Sequence, residues 1–222
     1  MMRSFNEIFA ISAQRHGGTQ AVEDKLARPL PVEEIAKIPD DRWLSGMARA
    51  IFQAGFNWKV IANKWPGFEE AFDGFDIATC AYRLPESHDA LTQDTRIVRN
   101  PTKIAAVQAN ALFIDEVSEA QGGLGGWIAG WPSDDYIGLV EELGKRGSRL
   151  GGATAQYFLR SMGVDGFILS QDLTARLTAE GVIEKAATSR KAKVAVQDAF
   201  NAWSSESGRS LTEISRVLAL SI

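Results

Sequence analysis

The chain has 222 residues, 24 basic against 28 acidic, and 45% hydrophobic content, enough for one substantial core built as a single domain or as two closely packed lobes. A net charge of −4 excludes a globally basic protein that coats nucleic acid, although one local basic patch suffices for a docking site. The lone Cys80 excludes an intramolecular disulfide and suits a reducing compartment, no apolar run reaches the roughly 18–20 residues of a membrane span, and no secretory signal opens the chain, so a cytoplasmic protein without a membrane partner is expected.

Phe5, Ile8, Phe9 and Ser12 recur at helical spacing and predict a first amphipathic helix that Gly17-Gly18 stops. His16 at that stop reads as a helix-end histidine, with a ligand or acid–base role as the alternative. Leu26 to Pro31 is a connector, because its prolines remove donors and fix φ. A short helix is expected through Val32 and Ile35. Pro39-Asp40-Asp41-Arg42 opens the next helix with aspartate as its cap. Leu44, Met47, Ala48, Ile51, Gly55, Trp58 and Ile61 then continue as one long helix to about residue 63, Gly55 marking a bend or a close approach. Trp65-Pro66-Gly67 is expected to turn the chain, Phe68, Phe72 and Phe75 to pack a short helix, and Asp76 to cap another. Residues 85–95 are polar and loop-like at both ends, with His88 a surface residue. Asn100-Pro101 is a helix start, cap then proline, and Ile104, Val107, Ala111 and Ile114 carry that helix. Arg99 and Lys103 at its start could reach a phosphate, or be solvated charge only.

Gln121 to Trp127 (QGGLGGW) is expected to be a flexible loop. No Lys-Ser/Thr follows its glycines and no strand precedes them, so a nucleotide-binding loop does not fit. Over about 134–162 the sequence reads helix, glycine-rich turn, helix. Ser133 can cap the first helix, with Asp134 and Asp135 against its positive end. Gly144 to Gly152 (GKRGSRLGG) breaks it, and Ala155, Phe158, Leu159 and Met162 resume helical spacing. Free N–H groups opening the second helix form an anion site among Lys145, Arg146 and Arg149, which would fit a DNA phosphate. An ordinary helical hairpin with a basic turn fits the same residues. Further on, Ser170 caps a helix that Gly181 stops, Val196, Phe200 and Trp203 mark another, and Ser210-Leu-Thr-Glu213 is a capping box. With no alternating strand pattern, the expected class is all-α, a single domain over 1–222 with a C-terminal helical extension from about 163 to 222.

Four segments carry a resemblance: IFQAGFNWKVI (51–61), FEEAFDGFD (68–76), RIVRNPTKIAAVQANA (96–111) and KRGSRLGGATAQYF (145–158). Similar segments occur in the same order in the DNA-3-methyladenine glycosylase I family, and the chain resembles that family over most of residues 44–163. Leu150 to Leu159 also resembles the hairpin and second helix of helix-hairpin-helix DNA glycosylases at large. The resemblance implies a two-lobed helix-hairpin-helix fold, damaged double-stranded DNA as partner, and a monomer associated with the nucleoid. It also implies no cofactor, and hydrolysis of the N-glycosidic bond of an alkylated purine such as 3-methyladenine. Trp58 matches the aromatic that stacks on the flipped base, although a core tryptophan is the structural alternative. Gln53 and Phe56 would line the pocket and Tyr157 would face it. Gly147, Gly151, Gly152 and Thr154, with the three hairpin cations, would hold the DNA backbone.

The sequence departs from the family in several places. The family ties its termini with a Cys/His zinc site, whereas one cysteine and two distant histidines cannot supply four ligands; no metal is expected, and the extension would do the fastening by packing. The family's glutamate, which hydrogen-bonds the alkylated base, falls on Ala50 beside Arg49 when read back from Trp58. The family's N-terminal aromatic motif has no clear counterpart. Related glycosylases carry an aspartate beyond the hairpin near a helix N-terminus, and Asp172 stands there. It would stabilise the oxocarbenium-like charge on the sugar and orient water, or serve only the helix dipole. Ala153 stands where bifunctional relatives carry lysine, so no Schiff base is expected and the enzyme would be monofunctional. Two other readings stay open: a noncatalytic DNA-lesion binder that retains the hairpin, and a helical protein whose hairpin docks another protein.

Overall fold

The structure is a computed structural model that describes residues 2–222. Among them are helices α1 (Phe5–His16), α2 (Thr19–Glu23), α3 (Val32–Ile35), α4 (Asp40–Gln53), α5 (Trp58–Ala71), α6 (Leu84–Gln93) and α7 (Pro101–Gln121). Helices α8 (Leu124–Ala129), α9 (Tyr136–Arg146), α10 (Ala153–Ser161), α11 (Gln171–Ala179), α12 (Arg190–Ser207) and α13 (Leu211–Leu220) follow. No strand occurs among the described residues, and the fold is all-α. The chain divides into two compact units.

One unit comprises the residues through Leu30, Pro132–Gly138 and Gly163–Ile222. The segment expected as an extension is therefore the larger part of a unit that also contains the N-terminal helix. Phe5 and Ile8 of α1, Leu173 and Leu177 of α11, Val196, Phe200 and Trp203 of α12, and Ile214, Val217 and Leu218 of α13 are buried in its core, each side chain of this size contributing about 1.5–3 kcal/mol. Phe167 stacks on Phe200 at 4.1 Å. Ser4 and Ser210 each close a capping box, with Glu7 and Glu213, and such caps contribute about 1 kcal/mol each. Packing is not the whole of the fastening. Arg3 Nη1 and its backbone N–H donate to the buried Glu180 carboxylate at 2.9 and 3.0 Å. Arg176 donates to Glu180 at 3.1 Å and to the hydroxyl and carbonyl of Ser221. His16 Nε2 donates to the Leu220 carbonyl at 2.9 Å, so this histidine serves the same closure. Ser133 does not cap α9; Asp135, next to the helix, accepts from the Gly138 N–H at 3.0 Å.

The other unit comprises Pro31–Trp131 and Leu139–Met162. Trp43, Leu44, Met47 and Ile51 of α4, Ile104, Val107 and Ile114 of α7, and Phe158 and Leu159 of α10 are buried in its core. Five expectations change here. The long helix to residue 63 is two helices, because Ala54 is extended, Gly55 has φ +71° and Asn57 caps α5 by accepting from the Lys59 N–H at 2.9 Å. The left-handed φ is one that glycine adopts freely, so apolar periodicity ran straight across a break that one glycine makes. The turn expected at Trp65-Pro66-Gly67 lies inside α5, where Pro66 forfeits one backbone donor while Ile61 and Phe68 anchor the helix on both sides in the core. Residues 85–95, expected to be loop-like at both ends, are mostly α6, pinned by buried Leu84 and Leu91, and the loop expected at 121–127 is the end of α7 followed by α8. Asp40 is not the cap of its own helix: its carboxylate accepts from the Leu124 N–H of α8 at 2.8 Å and from the Ser118 hydroxyl.

Candidate active site

The break between α4 and α5 makes a cleft. Helix α4 ends at Gln53, the chain turns through Ala54, Gly55 and Phe56, and Asn57 and Trp58 open α5. The opposing wall is the start of α10, with Ala153, Thr154 and Tyr157, and Ala50 completes the lining of a space of about 580 Å³. All these residues belong to one unit, Pro31–Trp131 with Leu139–Met162. The structure thus brings together Trp58, Gln53, Phe56 and Tyr157. Trp58 is 51% exposed and is no core tryptophan. Its ring meets Tyr157 edge to face at 5.2 Å and 89°, a geometry worth about 0.5–1.5 kcal/mol beyond burial. Neither a carboxylate nor a cation lines the cleft. A flat ring placed there would meet aromatic faces, the amides of Gln53 and Asn57, the hydroxyls of Thr154 and Tyr157, and the methyl of Ala50.

The hairpin leads into the same wall. Loop 147–152 joins α9 to α10, and Gly152 immediately precedes Ala153 with φ +59° and ψ −133°, a conformation open in practice to glycine alone. Asn110, buried on α7, holds the loop from beneath: its Oδ1 accepts from the Ser148 N–H at 2.7 Å and its Nδ2 donates to the Ser148 carbonyl at 3.1 Å. Sequence reading passed over Asn110, although a polar residue between Val107 and Ala111 on an apolar helix face is a signal that it has a buried partner. Lys145, Arg149, Gly151 and Gly152 are exposed at the hairpin, and Arg99 is exposed before α7. Gly147 is tightly surrounded, a Cβ there lying 2.6 Å from Leu150 and 2.8 Å from the Leu143 carbonyl. Thr154 is in the cleft wall.

Two cations expected at phosphates are engaged elsewhere. Lys103 is 7% exposed, and its Nζ donates to the carbonyls of Ala54 at 2.7 Å and Phe52 at 3.3 Å. Burial, then the nearby charge of Arg149, lowers its pKa. Its amine caps the end of α4 and so fixes the floor of the cleft, and it is turned away from any external phosphate. Arg146 pairs with Glu116 at 3.3 Å and lies over the rings of Phe113 and Trp127 at 4.7 and 5.8 Å. Its guanidinium is turned back onto α7 and α8. Asp172 is exposed in the first turn of α11, where Ser170 caps by accepting from the Leu173 N–H. It belongs to the unit containing the termini and is not among the residues lining the cleft. Among the described residues no group of three or more His, Cys, Asp or Glu side chains forms a metal-binding cluster, and no helix is long and apolar enough to cross a membrane.

An all-helical frame with a glycine-turned helix pair feeding one wall of an aromatic cleft is the helix-hairpin-helix DNA glycosylase fold. Within that class, residues 39–138 match the family model of methyladenine glycosylase. A 3-methyladenine DNA glycosylase I solved with 3-methyladenine is 23% identical, covers 60% of this chain and 87% of its own, and superposes with a TM-score of 0.50. The corresponding enzyme from Staphylococcus aureus is 23% identical, with 62% of this chain and 80% of its own covered and a TM-score of 0.51. An 8-oxoguanine glycosylase/lyase from Methanocaldococcus jannaschii, solved with a 15mer DNA containing 8-oxoguanine, is 12% identical, covers 96% of this chain and 95% of its own, and has a TM-score of 0.55.

Proposed function

We propose that the protein is a monofunctional DNA glycosylase that removes alkylated purines such as 3-methyladenine from duplex DNA. The observation that carries this reading is the half-exposed Trp58, set edge to face on Tyr157, in a cleft whose other wall is the helix that begins at the hairpin. A phosphate held at the hairpin and a base turned into the cleft would thus share α10 as their support. The cleft stacks on the flipped base. An alkylated purine already carries positive charge, so the C1′–N bond breaks heterolytically with its electron pair going to the base, which leaves neutral. Water then adds to the oxocarbenium carbon and gives its proton to solvent. Release then rests on the lability of the charged base and on the cleft, which itself carries no carboxylate. With Ala153 in place of an amine, no Schiff base forms and the strand stays whole.

One observation favours the noncatalytic lesion binder instead: Ala50 leaves the cleft without a carboxylate. Alkylated duplex incubated with the protein separates the two. The glycosylase releases 3-methyladenine and leaves an unbroken abasic strand that breaks only in hot alkali. Asp172→Asn then shows which group is at work: a large drop in release with duplex binding preserved assigns Asp172 the electrostatic role, and a small drop leaves catalysis to the charged base and the cleft. Tight binding to alkylated or abasic duplex without release of any alkylated base establishes the lesion binder and overturns the enzyme.

A further inference from the structure

Arg49 stands on α4 immediately before Ala50 and one turn before Gln53, both of which line the cleft, and residues four apart share a helix face. Its side chain is exposed, and its guanidinium lies over the Trp65 ring, Cζ 5.5 Å from the centroid. No carboxylate among the described residues pairs with it. Arg42, Arg96, Arg146, Arg176 and Arg209, by contrast, each hold a carboxylate. A guanidinium stacks on aromatic faces and meets phosphate through a planar fork. Held by a ring, it is positioned with its charge intact; held by a carboxylate, that charge would be cancelled.

The ring beneath it is fixed by construction. Trp65 Nε1 donates to Glu69 at 3.1 Å, and the ring stacks on Phe68 at 5.0 Å and Phe75 at 5.7 Å. Phe75 reaches it through a left-handed turn in which Asp73, Gly74 and Phe75 have φ of 51°, 63° and 62°, a region that the two non-glycine residues avoid unless their surroundings impose it. Arg42 imposes it, donating to the Gly74 carbonyl while bonding both Glu69 oxygens at 3.1 and 3.0 Å. The strained turn, the ion pair and the aromatic stack thus converge on the face that carries Arg49.

We infer that Arg49 is a phosphate-binding residue at the rim of the cleft, engaging a backbone phosphate beside the nucleotide whose base enters it. The inference rests on the proposed function and assigns a DNA contact that exists only when a nucleotide is turned out. Salt dependence of duplex binding tests it, because each phosphate contact adds about 0.9 to the slope of log affinity against log salt. For a duplex holding a tetrahydrofuran abasic analogue, Arg49→Gln lowers that slope by about 0.9, so that between 50 and 200 mM salt the variant loses about threefold less affinity than the wild type. For undamaged duplex the slope is unchanged, and Arg49→Lys restores it on the analogue. An unchanged slope on the analogue, or an equal fall on both duplexes, overturns the assignment. A wild type that binds neither duplex overturns the proposed function itself, and is recognised before any variant is compared.

Discussion

A tryptophan left 51% exposed forgoes much of the apolar burial it would gain inside, so its position is better explained by what it presents than by what it supports. The contrast with Trp43 and Trp203, both fully buried, could not be read from spacing, since all three sit on helices with apolar neighbours. The motif around Gln53 to Trp58 was legible; its exposure was decided by Gly55, which ends the buried stripe. Trp58→Ala is therefore expected to leave thermal stability close to that of the wild type while removing stacking of about 1–3 kcal/mol per base. Release of 3-methyladenine falls by roughly tenfold to a hundredfold, measured in single turnover. A variant that unfolds at working temperature would return Trp58 to a structural role. Lys103 and Arg146 show the opposite limit of reading. Their charge was visible, but its direction was set by the Ala54 carbonyl in one case and by Glu116 and two rings in the other.

At the scale of elements, helix existence was legible wherever cap and apolar period agreed, as at Asn100-Pro101 and Ser210 to Glu213. It was not legible where tertiary contact overrode a local breaker: Pro66 inside α5, or the glycines of α8. The hairpin was found because glycines and cations cluster there, but Asn110, which sets its loop, lies some forty residues earlier. Within the loop Gly151 is distinctive. A Cβ there meets nothing within 4 Å, and its backbone is outside the left-handed region that holds Gly152. The fold does not require glycine at 151, so a requirement there would come from an external partner approaching closely. Gly151→Asp is expected to melt within a degree or two of the wild type, as surface changes do, yet to bind damaged and undamaged duplexes at least about tenfold more weakly at low salt, because a phosphate contact positions without specifying. Unchanged affinity in the folded variant would remove DNA from the hairpin.

At the scale of the whole molecule, both ends of the chain meet at one buried carboxylate. Glu180 has a side chain with no exposed surface, and Arg176 beside it is 8% exposed; Arg3 reaches in from the N-terminus and Ser221 accepts from Arg176 near the C-terminus. None of this was legible in the sequence, because the pairing joins residues 177 positions apart. Burial would raise the Glu180 pKa, but hydrogen bonds from the Arg3 backbone and side chain and from Arg176 outweigh it and hold the group below its ordinary value. A carboxylate with a lowered folded pKa takes up its proton less readily folded than unfolded. Its stabilisation is therefore whole above about pH 4.5, the ordinary glutamate value, and is lost as pH falls through the folded value. Glu180→Gln removes that dependence and leaves Arg176 buried without its carboxylate, a loss of about 3 kcal/mol and so roughly 6–12 °C in melting temperature at pH 7. Melting curves taken from pH 7 to pH 3 should start far apart and converge in acid, because only the wild type has this carboxylate to protonate. If the two melting temperatures instead stay parallel down to pH 3, the clasp does not carry the acid sensitivity of this unit.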